Sequence, residues 1–427
     1  MHFISRKIGL SRATIFVLLS AVPYFLFWLH YFPNLSNTND VHHHIAYIRH
    51  VAQNWAQPYE YWGRENWHPP LYYYITALVY SVSNHITYED PFTAVRLVSL
   101  VFYMIFCIYA VRCLRTVFLN ENLAYYTGVV LIVFWPASII MATRINNDIA
   151  MYAAWSAVFY YLAQWYKDRN IKLLHYTIIA LGIAFMVKSN AVIPLAIVCA
   201  VVAFSLASGQ LQWKQLFLRS HLPALAVFLL GILINAGKMI YVRLSHGNDI
   251  SHIHFGESGD SAASVAHFIT FDVIQYITQP FNMLREDPTF FNNFLKTMLY
   301  GEFTWKYDGF ASVINTLFIA FLFIMICSAL INVLRNKQYF IELMPYLAGL
   351  IVPLLAVMAF YAIKKLTVCQ DFRFALPMLV PMVILYVKGL DYLHTLGTAR
   401  SLYWAGITVG WLLPLAGVVF YLAQYLW

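Results

Sequence analysis

Long apolar runs separated by short polar interruptions occupy most of the 427-residue chain. A helix needs roughly 17 to 25 residues to cross about 30 Å of hydrocarbon. Runs near 13–31, 94–112, 122–142, 149–166, 173–188, 190–207, 222–241, 311–333, 341–361, 374–390 and 401–425 have about that length. The pattern predicts an all-α polytopic membrane protein with about 11 transmembrane helices. Two further segments carry a different pattern. In "DVHHHIAYIRHVAQNW", Val41, Ile45, Ile48, Ala52 and Trp55 recur at helical spacing, which predicts an amphipathic helix lying along the membrane. In "ENWHPPLYYYITALVYSVS", the apolar part from Pro69 to about Ser83 would reach only ~22 Å as a helix, so it belongs at the interface rather than across the bilayer.

Composition agrees with that pattern: 61% of residues are hydrophobic and only 11% are charged, which a soluble domain does not tolerate. The net charge of +8 is explained by topology. Arg6, Lys7 and Arg12, Arg112 and Arg115, Lys167, Arg169 and Lys172, Lys214 and Arg219, Arg335 and Lys337, and Arg400 all fall on one side if the first helix runs outward. The positive-inside rule makes that side cytoplasmic. The basic excess therefore reports orientation, not nucleic-acid binding. The first apolar run is long and lacks a small-x-small cleavage site, so it reads as a transmembrane helix rather than a signal peptide. The chain is expected to be one integral membrane domain, 1–427, with a first outer loop, 32–93, holding the interfacial helices, and a second, 243–310. Inner loops are short, so chemistry is expected on the outer face.

Five scattered cysteines give neither a disulfide framework nor a zinc spacing. The chain has no glycine loop of the kind that cradles nucleotides, which argues against a soluble nucleotide-activated donor. Three outer-face places carry candidate chemistry. Asp40 opens the first amphipathic helix, where it either caps that helix or acts chemically. In "ATRINNDIAMYAAW", Arg144 and Asp148 fall in a very short outer turn, where Asn146, Asn147 and Asp148 either cap the next helix or act chemically; with the two isolated carboxylates Asp40 and Asp148 at one outer membrane boundary, a paired-carboxylate site stays open. Lys188 in "GIAFMVKSNAVIPL", with Lys364, Lys365 and Arg373 around "KKLTVCQDFRFALP", are cations on the side the orientation rule disfavours. Each either snorkels or meets an anionic partner such as a lipid phosphate.

The order of an early outer-loop aspartate, then "HPPLYYY", "RLVSLVF", "TRINNDIAMY" and "GIAFMVKSN", over roughly the first 200 residues, resembles the C-type membrane glycosyltransferases. It resembles in particular the protein O-mannosyltransferases and the bacterial lipid A aminoarabinose transferases. The resemblance implies a GT-C-like architecture and an enzyme that takes a sugar from a polyprenyl-phosphate carrier. By it, Asp40 matches the first-loop catalytic base and Asp148 the acidic residue after the third helix. His68, with Pro69 and Pro70, matches the mannosyltransferase proline motif, Arg144 the arginine of that family, and Lys188 the lysine suited to the carrier phosphate. The chain departs from the pattern at Trp67-His68, where the aminoarabinose enzymes have Glu-Lys, and at Tyr72-Tyr73, where the mannosyltransferases have Gly-Lys.

The chemistry this implies is inverting displacement at the anomeric carbon, on the periplasmic face of a bacterial inner membrane with the N-terminus cytoplasmic. Asp40 and Asp148 would be catalytic. His68, Arg144, Lys188, Arg373 and Lys364 would bind the donor phosphate or lipid, and Glu65, Tyr72, Glu302 and Asp308 are candidates for contacting substrate. The partners would be a polyprenyl-phosphate-sugar donor, a glycan, lipid or protein acceptor, and membrane lipids, with no nucleic acid. No cofactor is certain and the metal is unknown; a divalent cation is not indicated, because one carboxylate and two asparagines around Asp148 make a poor cage. Two alternatives remain open. A transporter or flippase of lipid-linked sugars would share the membrane-level charges but would carry inverted repeats. A polysaccharide polymerase or ligase would use the late loop, where His252, His254, His267 and Arg285 are available.

Overall fold

The computed structural model describes residues 11–31, 40–58, 68–86, 92–118, 120–216, 219–246, 265–281, 289–335, 337–364, 367–397 and 399–426. Among them there is no strand. In chain order the main helices are α1 (Arg12–Tyr31), α2 (Val41–Asn54), α3 (Leu71–Ile86), α4 (Phe92–Val117), α5 (Leu123–Val133), α6 (Pro136–Met141), α7 (Asp148–Asp168), α8 (Ile171–Val187), α9 (Val192–Ala207), α10 (Leu222–His246), α11 (Phe290–Tyr300), α12 (Asp308–Arg335), α13 (Met344–Lys364), α14 (Leu379–Thr395) and α15 (Arg400–Leu426).

Six helical stretches are long and apolar enough to cross a membrane: Phe92–Val117, Ser189–Ala207, Asp308–Arg335, Met344–Ile363, Phe372–Thr395 and Arg400–Gln424. Shorter apolar helices cover Arg12–Tyr24, Leu123–Val133, Ile171–Val187 and Leu222–Gly237. The chain is an integral membrane protein, and each predicted run is helical. The figure of eleven crossings is not confirmed, for local reasons. Run 122–142 breaks because Pro136 has no amide proton to continue α5; α5 stops at Val133 and Pro136 opens α6 instead. Run 149–166 forms α7, but its Ser156, Gln164 and several tyrosines dilute its apolarity, and most of the helix is buried against protein.

The chain divides into two compact units. One comprises Tyr24–Tyr109 and Met141–Phe255. In it α8 packs against both α7 and α10, and α2 packs on α3. A Cβ added at Gly231 would strike the Gly182 carbonyl oxygen, so the α8 and α10 backbones are in direct contact. Between membrane helices van der Waals packing replaces the hydrophobic drive, and small residues at the seam permit that approach. Helix α3 is the segment predicted at the interface: Pro70 supplies the first helical acceptor, its carbonyl taking the Tyr74 amide at 3.0 Å. Its 16 residues span about 24 Å.

The other unit comprises Met1–Pro23, Ala110–Ile140 and Gly256–Trp427. Here α5, α12, α14 and α15 pack together around stacked aromatics. Phe321 lies on Tyr386 at 4.3 Å between centroids, and Trp135 meets Phe318 edge-on. The Trp135 indole N–H donates to the Met298 carbonyl at 2.7 Å, so this buried ring leaves no donor unsatisfied.

Candidate functional site

In the unit that contains α7 and α8, Lys188 ends α8 and Asp148 begins α7. The Lys188 ammonium donates to an Asp148 carboxylate oxygen at 2.6 Å and to the Asn147 side-chain oxygen at 3.3 Å. Both charged side chains are less than 10% exposed. Helix geometry makes this tolerable. Asp148 sits at the positive end of the α7 dipole and Lys188 at the negative end of α8, so each charge is stabilised by its own backbone before the two meet. The Asp148 amide, one of the orphan donors of a helix start, is taken by the Asn146 side chain at 2.8 Å. Asn147 also donates to the Val187 carbonyl at 3.4 Å, which ties the α7 start to the α8 end.

Asp40 lies at the head of α2 with φ 60°, in the left-handed region. Asp and Asn tolerate that conformation better than other side chains, though it still costs about a kcal/mol or more. The capping expectation is half met. The Asp40 carbonyl accepts the His43 and His44 amides at 3.0 and 3.1 Å, while its carboxylate makes no capping bond. His44 is buried rather than solvated. Its Nδ1 is 2.9 Å from the Tyr73 hydroxyl, and its ring stacks on Tyr73 and on His68. Tyr47 stacks on Tyr73 at 3.6 Å and donates to the His68 carbonyl at 3.3 Å. The "HPPLYYY" stretch is therefore the partner surface of the Asp40 helix.

Its neighbouring tyrosine faces the ion pair. Tyr72 is fully buried, and burial pushes its phenol well above the ordinary value; Ser99 and the Asn146 backbone oppose this, and the Asp148 carboxylate adds to it. Tyr72 meets Tyr73 edge-on at 5.3 Å. Arg144 is buried in the same turn, where its carbonyl accepts the Ser99 hydroxyl at 2.5 Å. Contacts run from the Asp40 backbone through His44 and Tyr73 to Tyr72, whose phenol feels the Asp148 carboxylate, all within one unit. Among the described residues no three His, Cys, Asp or Glu side chains group as metal ligands.

In the other unit, Arg373 lies 3.2 Å from a Glu302 carboxylate oxygen and 3.5 Å from an Asp371 oxygen, and both acids are buried. The Arg373 segment is fixed on α11: the Phe372 amide donates to Thr297 at 2.9 Å, and Asn293 donates to Gln370 at 2.6 Å. Asp308 opens α12 and is exposed. Glu65, Trp67, Lys365, His252, His254, Arg285 and the side chain of Lys364 lie outside the described residues. Sequence reasoning passed over Ser99, Asn147 and Asn235 as partners, along with the buried Arg96, Lys296 and Asp371. The available signal was a polar residue inside an apolar run, as in "GILINAGKM", since such residues are costly in a membrane unless they do something.

Residues 67–237 match the dolichyl-phosphate-mannose-protein mannosyltransferase family. Among curated proteins, none matches the chain. Of solved structures, ArnT from Cupriavidus metallidurans in the apo state is 14% identical, with a TM-score of 0.41 over 96% of this chain and 78% of that one. The same protein bound to undecaprenyl phosphate gives 12%, 0.42, 89% and 79%. The Archaeoglobus fulgidus oligosaccharyltransferase in its apo form is 13% identical with a TM-score of 0.50, over 96% of this chain and 55% of that one, which is a likeness of fold. With a mannosyltransferase-family segment carried on an all-helical membrane fold, the chain resembles the C-type membrane glycosyltransferases.

Proposed function

We propose that this protein transfers a sugar from a polyprenyl-phosphate carrier to an acceptor hydroxyl with inversion, on the periplasmic face of a bacterial inner membrane. The observation that carries this reading is the buried Lys188–Asp148 pair at 2.6 Å, inside the family-matched segment. That family is described by a lipid-phosphate-linked sugar donor.

In the proposed reaction the acceptor oxygen attacks the anomeric carbon and its proton passes to the Asp40 carboxylate. The bond from the anomeric carbon to the phosphate oxygen breaks, and the polyprenyl phosphate leaves with the bonding pair. Lys188 and Arg144 neutralise the charge that develops on the phosphate, the preorganised electrostatic role that supplies several kcal/mol in such sites. Asp148 holds Lys188 in place until the phosphate arrives. His68 donates to the donor, and Tyr72 lines the substrate side.

The test is mass spectrometry of lipid that copurifies with the protein, compared with Lys188→Gln. Polyprenyl phosphate, free or bearing a sugar, is expected with the wild type and should be depleted in the variant. Ordinary phospholipid alone, unchanged by the substitution, would sink the reading and favour transport assays.

A further inference from the structure

The turn that carries Lys188 is clamped from a third helix. Asn235 on α10 is buried, an amide in an otherwise apolar stretch of a membrane helix. Its Nδ2 donates to the Phe185 carbonyl at 3.0 Å, and its Oδ1 accepts the Ser189 hydroxyl at 3.1 Å. Phe185 precedes Lys188 by three residues and Ser189 follows it, so a single side chain grips both flanks of the lysine. Asn147 adds a bond to the Val187 carbonyl between them. The chain needs this clamp because Lys188 itself is extended, with φ −158° and ψ 146°, between the end of α8 and a three-residue 3-10 turn. Such a junction leaves the last α8 carbonyls without intrahelical donors, and Asn235 supplies one.

Reach depends on the glycine seam. Gly231 lies one turn before Asn235 on the same face of α10, and it is the residue whose missing side chain lets α10 touch the α8 backbone at Gly182. A side chain at that seam would hold the helices apart and draw the amide away from Phe185.

We infer that Asn235, set by the Gly182–Gly231 contact, is a positioning residue that holds the Lys188 ammonium at the height where the carrier phosphate binds. This inference rests on the proposed role of Lys188. It differs from a purely structural role in one respect: the effect of Asn235 on carrier binding must pass through Lys188, and so must vanish when that cation is absent.

The experiment is a double-mutant cycle of undecaprenyl phosphate binding to detergent-purified full-length protein, with Asn235→Leu, Lys188→Gln and the double variant. Asn235→Leu is expected to weaken binding about tenfold in the wild-type background and less than twofold in Lys188→Gln, and to lower kcat for transfer in the wild-type background, where a displaced Lys188 no longer meets the charge on the departing phosphate. Ser189→Ala removes one of the two Asn235 bonds without touching the helix interior. It should weaken binding about threefold, and it keeps the test open if Asn235→Leu folds poorly. Equal, additive losses in both backgrounds, or no loss from either variant, would overturn the inference while leaving the role of Lys188 standing. If Lys188→Gln alone binds undecaprenyl phosphate like the wild type, the reading of Lys188 fails and this inference fails with it.

Discussion

Each of the two units buries a cation, and they neutralise it differently. Lys188 meets one carboxylate, at 2.6 Å, with a neutral amide beside it and two helix ends of suitable polarity. Arg373 meets two carboxylates, Glu302 and Asp371, at 3.2 and 3.5 Å. An ammonium is a compact point charge that can exchange one anion for another, whereas a guanidinium fork pairs with planar acids in a fixed geometry. The Lys188 arrangement suits a cation that must change partners during a cycle; the Arg373 arrangement suits one that anchors its segment on α11. The difference teaches that burial and pairing alone do not mark a working charge. The proposed role of Lys188 rests instead on stoichiometry and the freedom to exchange.

The sharpest way to break that contrast is at Asp40, the proposed base in the same unit as Lys188. Asp40→Asn keeps a residue that tolerates φ 60° and removes only the base. Sugar transfer is expected to fall about 10²–10⁴-fold with donor affinity within about twofold, read by single-turnover transfer and by donor binding. Wild-type transfer in that variant would end the base assignment.

Next in size come the pairs themselves. Lys188→Met takes the 2.6 Å cation away from buried Asp148 and should cost about 3–5 kcal/mol; adding Asp148→Leu should recover most of that stability and none of the transfer. Arg373→Met leaves two acids facing each other, so recovery there requires changing both Glu302 and Asp371. Unfolding in detergent, followed by circular dichroism, ranks these variants, with each acid beside Arg373 replaced singly and together. Recovery of the Arg373 variant by a single acid replacement would erase the distinction between the units.

Glycines test the same contrast through packing. Gly231→Ala meets the backbone of α8, which cannot turn aside, and is expected to cost about 1–3 kcal/mol. Gly128→Ala in the other unit meets only the tips of the Leu114 and Val387 side chains, which can shift, and should cost less. Thermal unfolding of the two variants decides between those obstacles. The smallest effect expected is Tyr73→Phe, which removes the hydrogen bond to His44 Nδ1 for about 1 kcal/mol, measured in the same way.

Much of this was legible beforehand, and what was not has identifiable causes. The helices could be read because bilayer-length apolar runs have few alternative structures. Lys188 and Asp148 could be read as neighbours of a boundary because each lies at the end of such a run. Their bond could not, since nothing in a linear sequence pairs positions 40 residues apart. The burial of His44 could not be read from helical spacing, because its environment is set by Tyr73 and His68 of another segment. Asp371 was present in the same stretch as Arg373 but was passed over when cations alone were tallied. Asn235 required knowing that α10 touches α8.

The glycine seam between α8 and α10 also has a mechanical consequence. Where two backbones touch, no acyl chain can wedge between them, so the two helices meet the surrounding lipid as one broad rib rather than as two rods. Lateral pressure then displaces the pair as a body and leaves the tip at Lys188 in register with both. On the proposed function, the carrier's isoprenoid tail would enter elsewhere along the wall, and its head would meet a lysine whose height the paired helices set.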